Sequence, residues 1–336
     1  MRSEDKIMGR FALVTADSAN CVKFKMNGER DDCTGFMNWL SVWDGILFSF
    51  DEMKKDFSIL NNFEVVMFSG HPYYLSLITT MALALKGKVV TIFLPEGDVS
   101  QYDKYGINSF ASEVYEAWNA VDVIASMEED KIPYYKSLTD SLVKFIHVPL
   151  DEKMERGLFR VANADKTEHI LIYGDNNANA PLTAIAVSRL LDKPIHVVCI
   201  DEVKVDKIKK LWGVKIDYVL GKMAQYPFLR LLGKCWLHIY PTRWIGSSRE
   251  SIACAVARTP CIGTDRSHTQ RRLFPKLSCD PYDIEKMVAL GKRLYTDLEF
   301  YDEIVNYAWD NVNFYNLENT KKRFIEAYEE AKIKIC

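Results

Sequence analysis

Short apolar runs alternate along this chain with longer stretches in which apolar residues recur at helical spacing. The runs are rich in Val, Ile and Phe, and the alternation is typical of parallel βαβ units. In the first half, strands are predicted at Phe11–Ala16, Gly45–Phe50, Phe63–Ser69, Lys88–Phe93, Val121–Ser126 and Val143–Val148. Between the third and fourth strands, the nearly continuous apolar stretch Tyr73–Lys86 stops at Gly87, as a helix buried against a sheet does.

The second half repeats this pattern. Strands are predicted at His169–Tyr173, Ile195–Ile200, Tyr218–Leu220, Leu237–Tyr240 and Cys261–Gly263. Helices are predicted at Pro181–Leu191, Val203–Trp212, Tyr226–Lys234 and Ser248–Arg258. From Pro281 onward the pattern stays helical to the end, with breaks near Thr296 and Phe314.

The length of 336 residues exceeds that of one ordinary core, and a prior of about 150 residues per domain suggests two domains. The segment Pro149–Lys166 is charged and has no strong period, so we place the linker there. The fold class predicted is α/β, with two Rossmann-like βαβ domains facing each other across a cleft, residues 1–160 and 161–312. Ligands of such domains bind at the carboxyl ends of the strands.

Charge and hydropathy narrow the possible partners and location. The net charge of −3 predicts no basic face, so a nucleic-acid partner is not expected. Met1–Arg10 is too polar for a signal peptide, and the most apolar stretch, Tyr73–Leu85, is shorter than the span of about 20 residues that a bilayer needs. We therefore expect a cytoplasmic protein without a transmembrane segment.

The cysteines and histidines give no sign of a disulfide framework or a metal site. None of the eight cysteines forms a Cys-x-x-Cys pair, and those from Cys199 to Cys279 lie in apolar or small-residue stretches. This usage predicts reduced, buried thiols. The six histidines never occur at i, i+4 spacing and have no Cys or carboxylate cluster beside them in the sequence, so no metal site is predicted.

One loop has the composition of an anion site. Gly246, Ser247 and Ser248 open a predicted helix, whose free backbone N–H groups and positive end favour an anion. Arg243 and Arg249 flank the loop and can donate charge-assisted hydrogen bonds to phosphate oxygens.

The order of features around that loop is more specific than the loop itself. A strand ends in Leu220-Gly221-Lys222, a second strand ends in Pro241-Thr242-Arg243, and after a helix comes Thr259-Pro260-Cys261-Ile262-Gly263. This run resembles the donor-binding region of retaining, family-four GT-B glycosyltransferases, and the resemblance extends over Ile170–Glu330. It implies the GT-B fold, with a last helix at residues 313–336 that packs back on the first domain. It also implies transfer of a hexose from a nucleotide diphosphate sugar to an unidentified acceptor in a retaining reaction, without a metal or other cofactor.

The chain departs from this family at charged positions. Ile245 and Ala253 stand where the family usually has two glutamates, and Glu250 is the carboxylate nearby in the sequence. The basic residues that neutralise the family's diphosphate are missing near Gly174 and Asn179. A buried diphosphate still needs cations, which Arg243 and Arg249 or the basic segment Asp265–Arg272 can supply. We expect that segment to be either a loop at the donor or an exposed, solvated one.

The first half offers fewer candidates. His71 follows a strand and begins the apolar helix, where it can contact the acceptor or the sugar. Glu96 and Asp98 occupy the place where the family typically has a sugar-contacting histidine, and Asp17 and Asn20 lie in the small-residue turn after the first strand. A structural role for each of these is the alternative.

The candidate residues form three groups. Those proposed for catalysis are His71, Glu96, Asp98 and Glu250. Those for the donor are Gly174, Gly221, Lys222, Arg243, Gly246, Ser247, Ser248, Arg249, Arg266 and Arg271. Those for the acceptor are Asp17 and Asn20. Two rival functions stay open: another enzyme on the same scaffold, such as a nucleotide-sugar epimerase or a nucleic-acid base glucosyltransferase, and a degenerate relative that binds a sugar nucleotide or a protein without turnover.

Overall fold

The computed structural model describes residues 11–16, 39–40, 45–95, 110–147, 149–150, 165–173, 180–198, 210, 216–220, 225–242 and 249–335. The chain divides into two compact units, one formed by Met1–Asp151 with Tyr315–Cys336 and the other by Glu152–Phe314. Each unit has its own sheet. No helix in the described part of the chain combines the length and the apolar character that a membrane span needs.

The first sheet has six parallel strands in the order β2-β1-β3-β4-β5-β6. The strands are β1 (Phe11–Thr15), β2 (Ile46–Ser49), β3 (Val65–Ser69), β4 (Val90–Leu94), β5 (Val123–Ser126) and β6 (Leu142–Phe145). All six predicted strands are confirmed, with ends shifted by up to three residues. Strands β1, β3 and β4 are buried at every position, because both faces of the sheet are covered.

Among the described residues, the helices with defined bounds that precede the second unit are α1 (Phe50–Met53), α2 (Leu75–Leu85), α3 (Phe110–Ala120) and α4 (Ile132–Lys136). Helix α2 is the predicted apolar helix, and Ile78, Met81 and Ala82 are fully buried in the core beneath it. After its last turn, Gly87 adopts a φ of +76°, a left-handed conformation that glycine takes without strain. Helices α3 and α4 were not predicted from the sequence.

The second sheet also has six parallel strands, in the order β12-β11-β10-β7-β8-β9. The strands are β7 (Thr167–Tyr173), β8 (Ile195–Val198), β9 (Ile216–Leu220), β10 (Cys235–Tyr240), β11 (Cys261–Thr264) and β12 (Ser278–Cys279). The five predicted strands are confirmed. The prediction omitted β12, whose two residues are too few to show any periodicity.

In the part of the second unit that the structure describes, the helices with defined bounds are α5 (Ala180–Leu191), α6 (Gln225–Lys234), α7 (Arg249–Val256), α8 (His268–Leu273), α9 (Ile284–Thr296) and α10 (Leu298–Val312). The predicted break near Thr296 is confirmed, because Asp297 ends α9 and caps α10 by accepting a hydrogen bond from the Phe300 N–H at 2.9 Å. Helices α5 and α9 pack closely, since a Cβ added at Gly291 would come within 2.6 Å of Leu191 Cδ1. The predicted helix Val203–Trp212 lies almost wholly outside the described residues.

The last helix, α11 (Leu317–Ile335), belongs to the first unit. Its buried side chains Phe324, Ala327 and Tyr328 lie in one cluster with residues of β1, β3 and β4, on the opposite face of the sheet from α2. The Phe324 ring meets Phe11 edge to face, with 5.8 Å between ring centroids. The helix therefore supplies the cover that lets these strands be apolar on both faces.

Candidate functional site

Two segments that carry predicted donor residues leave adjacent strands of the second sheet. Strands β10 and β11 are parallel neighbours, with Tyr240 opposite Gly263. Because parallel strands end at the same edge of a sheet, α7 after β10 and α8 after β11 begin at this edge, and the two helices pack against each other. The structure thus brings Arg249 and Glu250 to the edge that also carries Arg266.

Side-chain burial increases over the first three residues of α7. Arg249 is exposed, Glu250 is half-buried, and Ser251 is buried. Helix α7 therefore begins with a basic residue, Arg249, and an acidic one, Glu250.

A buried glutamine fixes the distance between α7 and α8. The Ser251 hydroxyl donates to Gln270 Oε1 at 2.7 Å, and Gln270 Nε2 donates to the Cys261 carbonyl at 2.8 Å. A Cβ at Gly263 would come within 2.7 Å of the Gln270 side chain, so the glycine makes room for the amide. Sequence reasoning missed Ser251 and Gln270, because neither has a local signal that marks it as part of a network.

The segment after β11 is only partly the basic loop expected from the sequence. The chain turns at Thr264–Ser267 and then forms α8, in which His268, Thr269 and Gln270 are buried. The expectation of a wholly exposed, solvated loop over Asp265–Arg272 is therefore wrong. Of these three side chains, Gln270 bonds to both α7 and the sheet.

The arginines of this segment are already engaged. Arg266 Nη2 forms an ion pair with Asp280 Oδ2 at 3.2 Å, and both side chains are more than 40% exposed. Its backbone N–H donates to the Thr264 hydroxyl at 3.2 Å. Arg271 donates to the Asp265 carbonyl. An exposed pair such as Arg266–Asp280 contributes only about 0–1 kcal/mol, so a polyanionic ligand can replace Asp280 at small cost.

In the first unit, His71 lies just past the carboxyl end of β3. Its ring centroid is 5.3 Å from that of Tyr73 and 5.7 Å from that of Tyr74. The glycine before it is required for a close approach: a Cβ at Gly70 would lie 2.5 Å from the Phe93 ring and 3.0 Å from the Leu94 carbonyl oxygen. His71 is thus held at the edge where ligands of parallel sheets bind.

Several predicted site residues lie outside the described residues. They are Asp17, Asn20, Glu96, Asp98, Gly174, Gly221, Lys222, Arg243, Gly246, Ser247 and Ser248. Of the described candidates, Arg249, Glu250, Arg266 and Arg271 belong to the second unit and His71 to the first.

Comparison with known proteins gives a consistent picture of the fold. No protein-family model and no curated sequence matches the chain. Among solved structures, a UDP-forming α,α-trehalose-phosphate synthase from Burkholderia xenovorans matches with a TM-score of 0.72 at 10% identity, over 96% of this chain and 99% of that one. The trehalose-6-phosphate enzyme from E. coli bound with UDP-2-fluoro glucose matches with a TM-score of 0.69 at 10% identity, over 96% and 99%.

A further similar structure is an α-glucosyltransferase in complex with UDP and a DNA 13-mer that contains an HMU base. It matches with a TM-score of 0.59 at 10% identity, over 96% of this chain and 98% of that one. These similarities and the two parallel sheets show that the chain has the GT-B fold with two Rossmann-like domains. The predicted α/β class with two Rossmann-like domains is thereby confirmed.

Proposed function

We propose that this protein is a hexosyltransferase that moves a sugar from a nucleotide diphosphate sugar to an acceptor. One observation carries the proposal: nearly the whole chain shares its fold with glycosyltransferases, and one of these was captured with a UDP-sugar analogue. The arginine-bearing edge of the second sheet lies where the sequence resemblance expects the donor.

The two domains have different tasks in this proposal, with residues 161–312 binding the donor and residues 1–160 the acceptor. The start of α7 holds the donor's phosphates, with Arg249 and Arg243 as cations, and Arg266 and Arg271 add positive charge from the next strand. The remaining donor contacts come from Gly174, Gly221, Lys222, Gly246, Ser247 and Ser248. His71, Glu96 and Asp98 contact the sugar or the acceptor, and Asp17 and Asn20 contact the acceptor.

The chemistry required of the protein is chiefly electrostatic. As the bond between the sugar and the diphosphate breaks, negative charge grows on the departing phosphate oxygens. Helix N–H groups and guanidinium groups placed beside those oxygens stabilise this charge. Glu250 is the carboxylate closest in sequence to the positions at which the family has its glutamates. We propose retention of anomeric configuration on the resemblance.

Thermal unfolding in the presence of nucleotides and nucleotide sugars tests the donor proposal. A ligand that binds only the folded protein stabilises it by about 2.7 kcal/mol at a hundredfold excess over its Kd. We expect one nucleoside diphosphate and its sugar conjugates to stabilise the protein, and hydrolysis or transfer with the best conjugate. Stabilisation without any turnover would favour a binding protein instead, and no stabilisation across the panel would contradict the donor site.

Divalent ions are not expected to take part in the transfer. The diphosphate charge is met by arginines and a helix end, so the transfer rate should not depend on Mg²⁺ or Mn²⁺. The measurement is the initial rate of transfer with EDTA and with added Mg²⁺ or Mn²⁺. Complete loss in EDTA that Mg²⁺ or Mn²⁺ restores would place the protein in another mechanistic class.

A base glucosyltransferase is the second candidate function, because one similar structure was captured with UDP and DNA. The net charge of −3 weighs against it, since binding to a phosphate backbone needs a basic surface. An acceptor panel separates the two. Transfer to hydroxymethylated DNA supports the second function, and transfer to a small sugar or sugar phosphate supports the first.

A further inference from the structure

Three side chains that are distant in the sequence meet inside the second unit. His238 on β10, Cys254 on α7 and Cys261 on β11 each offer one ligand atom, and these atoms all lie within 4.8 Å of one another. His238 and Cys261 are opposite each other in the register of the two strands, and α7 is the crossover helix between those strands. All three residues are fully buried. We call this group the HCC cluster.

The histidine of the HCC cluster has one nitrogen available as a ligand. Its Nδ1 lies 3.0 Å from the Leu171 carbonyl oxygen, which can only accept, so the proton sits on Nδ1. Its Nε2 is buried and has no hydrogen-bond partner among the described residues. Burial lowers the pKa of His238 to about 4, so the ring is neutral at physiological pH. An unpartnered buried nitrogen is costly unless something binds it.

The two thiols complete a donor set suited to a soft cation. Cys254 and Cys261 are free cysteines, as the sequence predicted. Burial, followed by the hydrogen bond to Cys261, raises the pKa of Cys254, so this thiol stays protonated in the absence of a positive partner. A divalent cation supplies that partner, and two thiolates with one Zn²⁺ carry no net charge, which a fully buried site requires.

We propose that the HCC cluster binds a structural Zn²⁺ ion through His238 Nε2 and the sulfurs of Cys254 and Cys261. Zinc bonds of about 2.3 Å to sulfur and 2.0–2.1 Å to nitrogen place tetrahedral ligand atoms roughly 3.5–3.8 Å apart. Atoms already within 4.8 Å need to move by only about 1 Å to reach that spacing. The three side chains supply three of the four ligands that a tetrahedral zinc ion takes. The ion would join two strands and their crossover helix, and so stabilise the second unit.

Zinc titration of the full chain tests this proposal. After treatment with a chelator, the protein is titrated with Zn²⁺ against a chromophoric competitor, and Co²⁺ replaces Zn²⁺ for absorption spectroscopy. The variants are Cys254→Ala, which suits a helix, and His238→Asn, which keeps a donor for the Leu171 carbonyl while removing Nε2. Cys279→Ala is the matched control, because Cys279 is another buried thiol of the second sheet.

We expect one Zn²⁺ per wild-type chain, a higher melting temperature with Zn²⁺, and thiolate-to-cobalt charge-transfer absorption. Both cluster variants should bind at least about 100-fold more weakly, since loss of a ligand exceeds the 10–100-fold cost of losing its outer-shell partner. The control should bind like wild type. A wild-type protein that binds no Zn²⁺ and shows no cobalt–thiolate absorption would overturn the proposal, even if a variant fails to fold. Equal weakening in the control, or none in the cluster variants, would overturn it too.

Discussion

Replacing Arg249 by alanine is expected to weaken binding of the nucleotide sugar by about 1.5–3 kcal/mol, or roughly 10- to 150-fold in Kd. The residue is exposed at the first turn of α7, on the edge where β10 and β11 end. Hydrogen bonds from a guanidinium to a phosphate join charged groups, which is why their loss costs more than that of a neutral pair. The measurement is the Kd of the nucleoside diphosphate by calorimetry.

The control for this experiment is Arg189→Ala, which removes an equally exposed arginine from α5 in the same unit. It should leave the Kd unchanged, and both variants should melt like wild type because neither arginine is buried. Arg243→Ala is a second variant on the other side of the loop. If Arg249→Ala and Arg243→Ala both bind the nucleotide as tightly as wild type, the donor assignment fails, and Arg266–Arg272 becomes the next segment to test.

Replacing Gln270 by methionine is expected to lower the free energy of unfolding by about 2–6 kcal/mol. The change leaves the Ser251 hydroxyl and the Cys261 carbonyl without their present partner in a buried position, and each such loss costs about 1–3 kcal/mol. Methionine has a similar volume, so the effect is due to hydrogen bonding rather than to a cavity. Denaturant unfolding of both proteins measures it.

The matched control is the double variant Ser251→Ala with Gln270→Met. Removing the hydroxyl as well eliminates one of the two unpaired groups, so the double variant should be more stable than Gln270→Met alone. The single variant Ser251→Ala completes the comparison. If the loss of unfolding free energy in the double variant equals the sum of the losses in the two single variants, the Ser251–Gln270 hydrogen bond does not hold α7 against α8. Since α7 carries Arg249, we also expect Gln270→Met to weaken nucleotide binding, by less than Arg249→Ala does.

The sequence by itself determined the alternation of strands and helices and the fold class. Parallel strands that are buried on both faces consist of consecutive apolar residues. Runs such as Val65–Ser69 can therefore be recognised in the sequence. Helix ends are also determined by residues close in sequence. Gly87 follows α2, and Asp297 lies between α9 and α10. Each motif between Leu220 and Gly263 is a turn of a few residues and can therefore be recognised in the sequence. Their order, which resembles that of a known family, predicted the GT-B fold.

Only the tertiary structure decided which side chains meet. Arg249 and Arg266 share an edge because β10 and β11 are neighbours, a fact of strand order that no local pattern contains. From the sequence, Gln270 belongs to a basic segment that could be a loop. In the structure, hydrogen bonds from Gln270 to Ser251 of α7 and Cys261 of β11 hold its helix in the core. Histidines and cysteines spaced far apart gave no metal signal, whereas sheet register and the crossover helix assemble the HCC cluster. Local patterns report burial and turns because these depend on neighbours in sequence, while a site depends on neighbours in space.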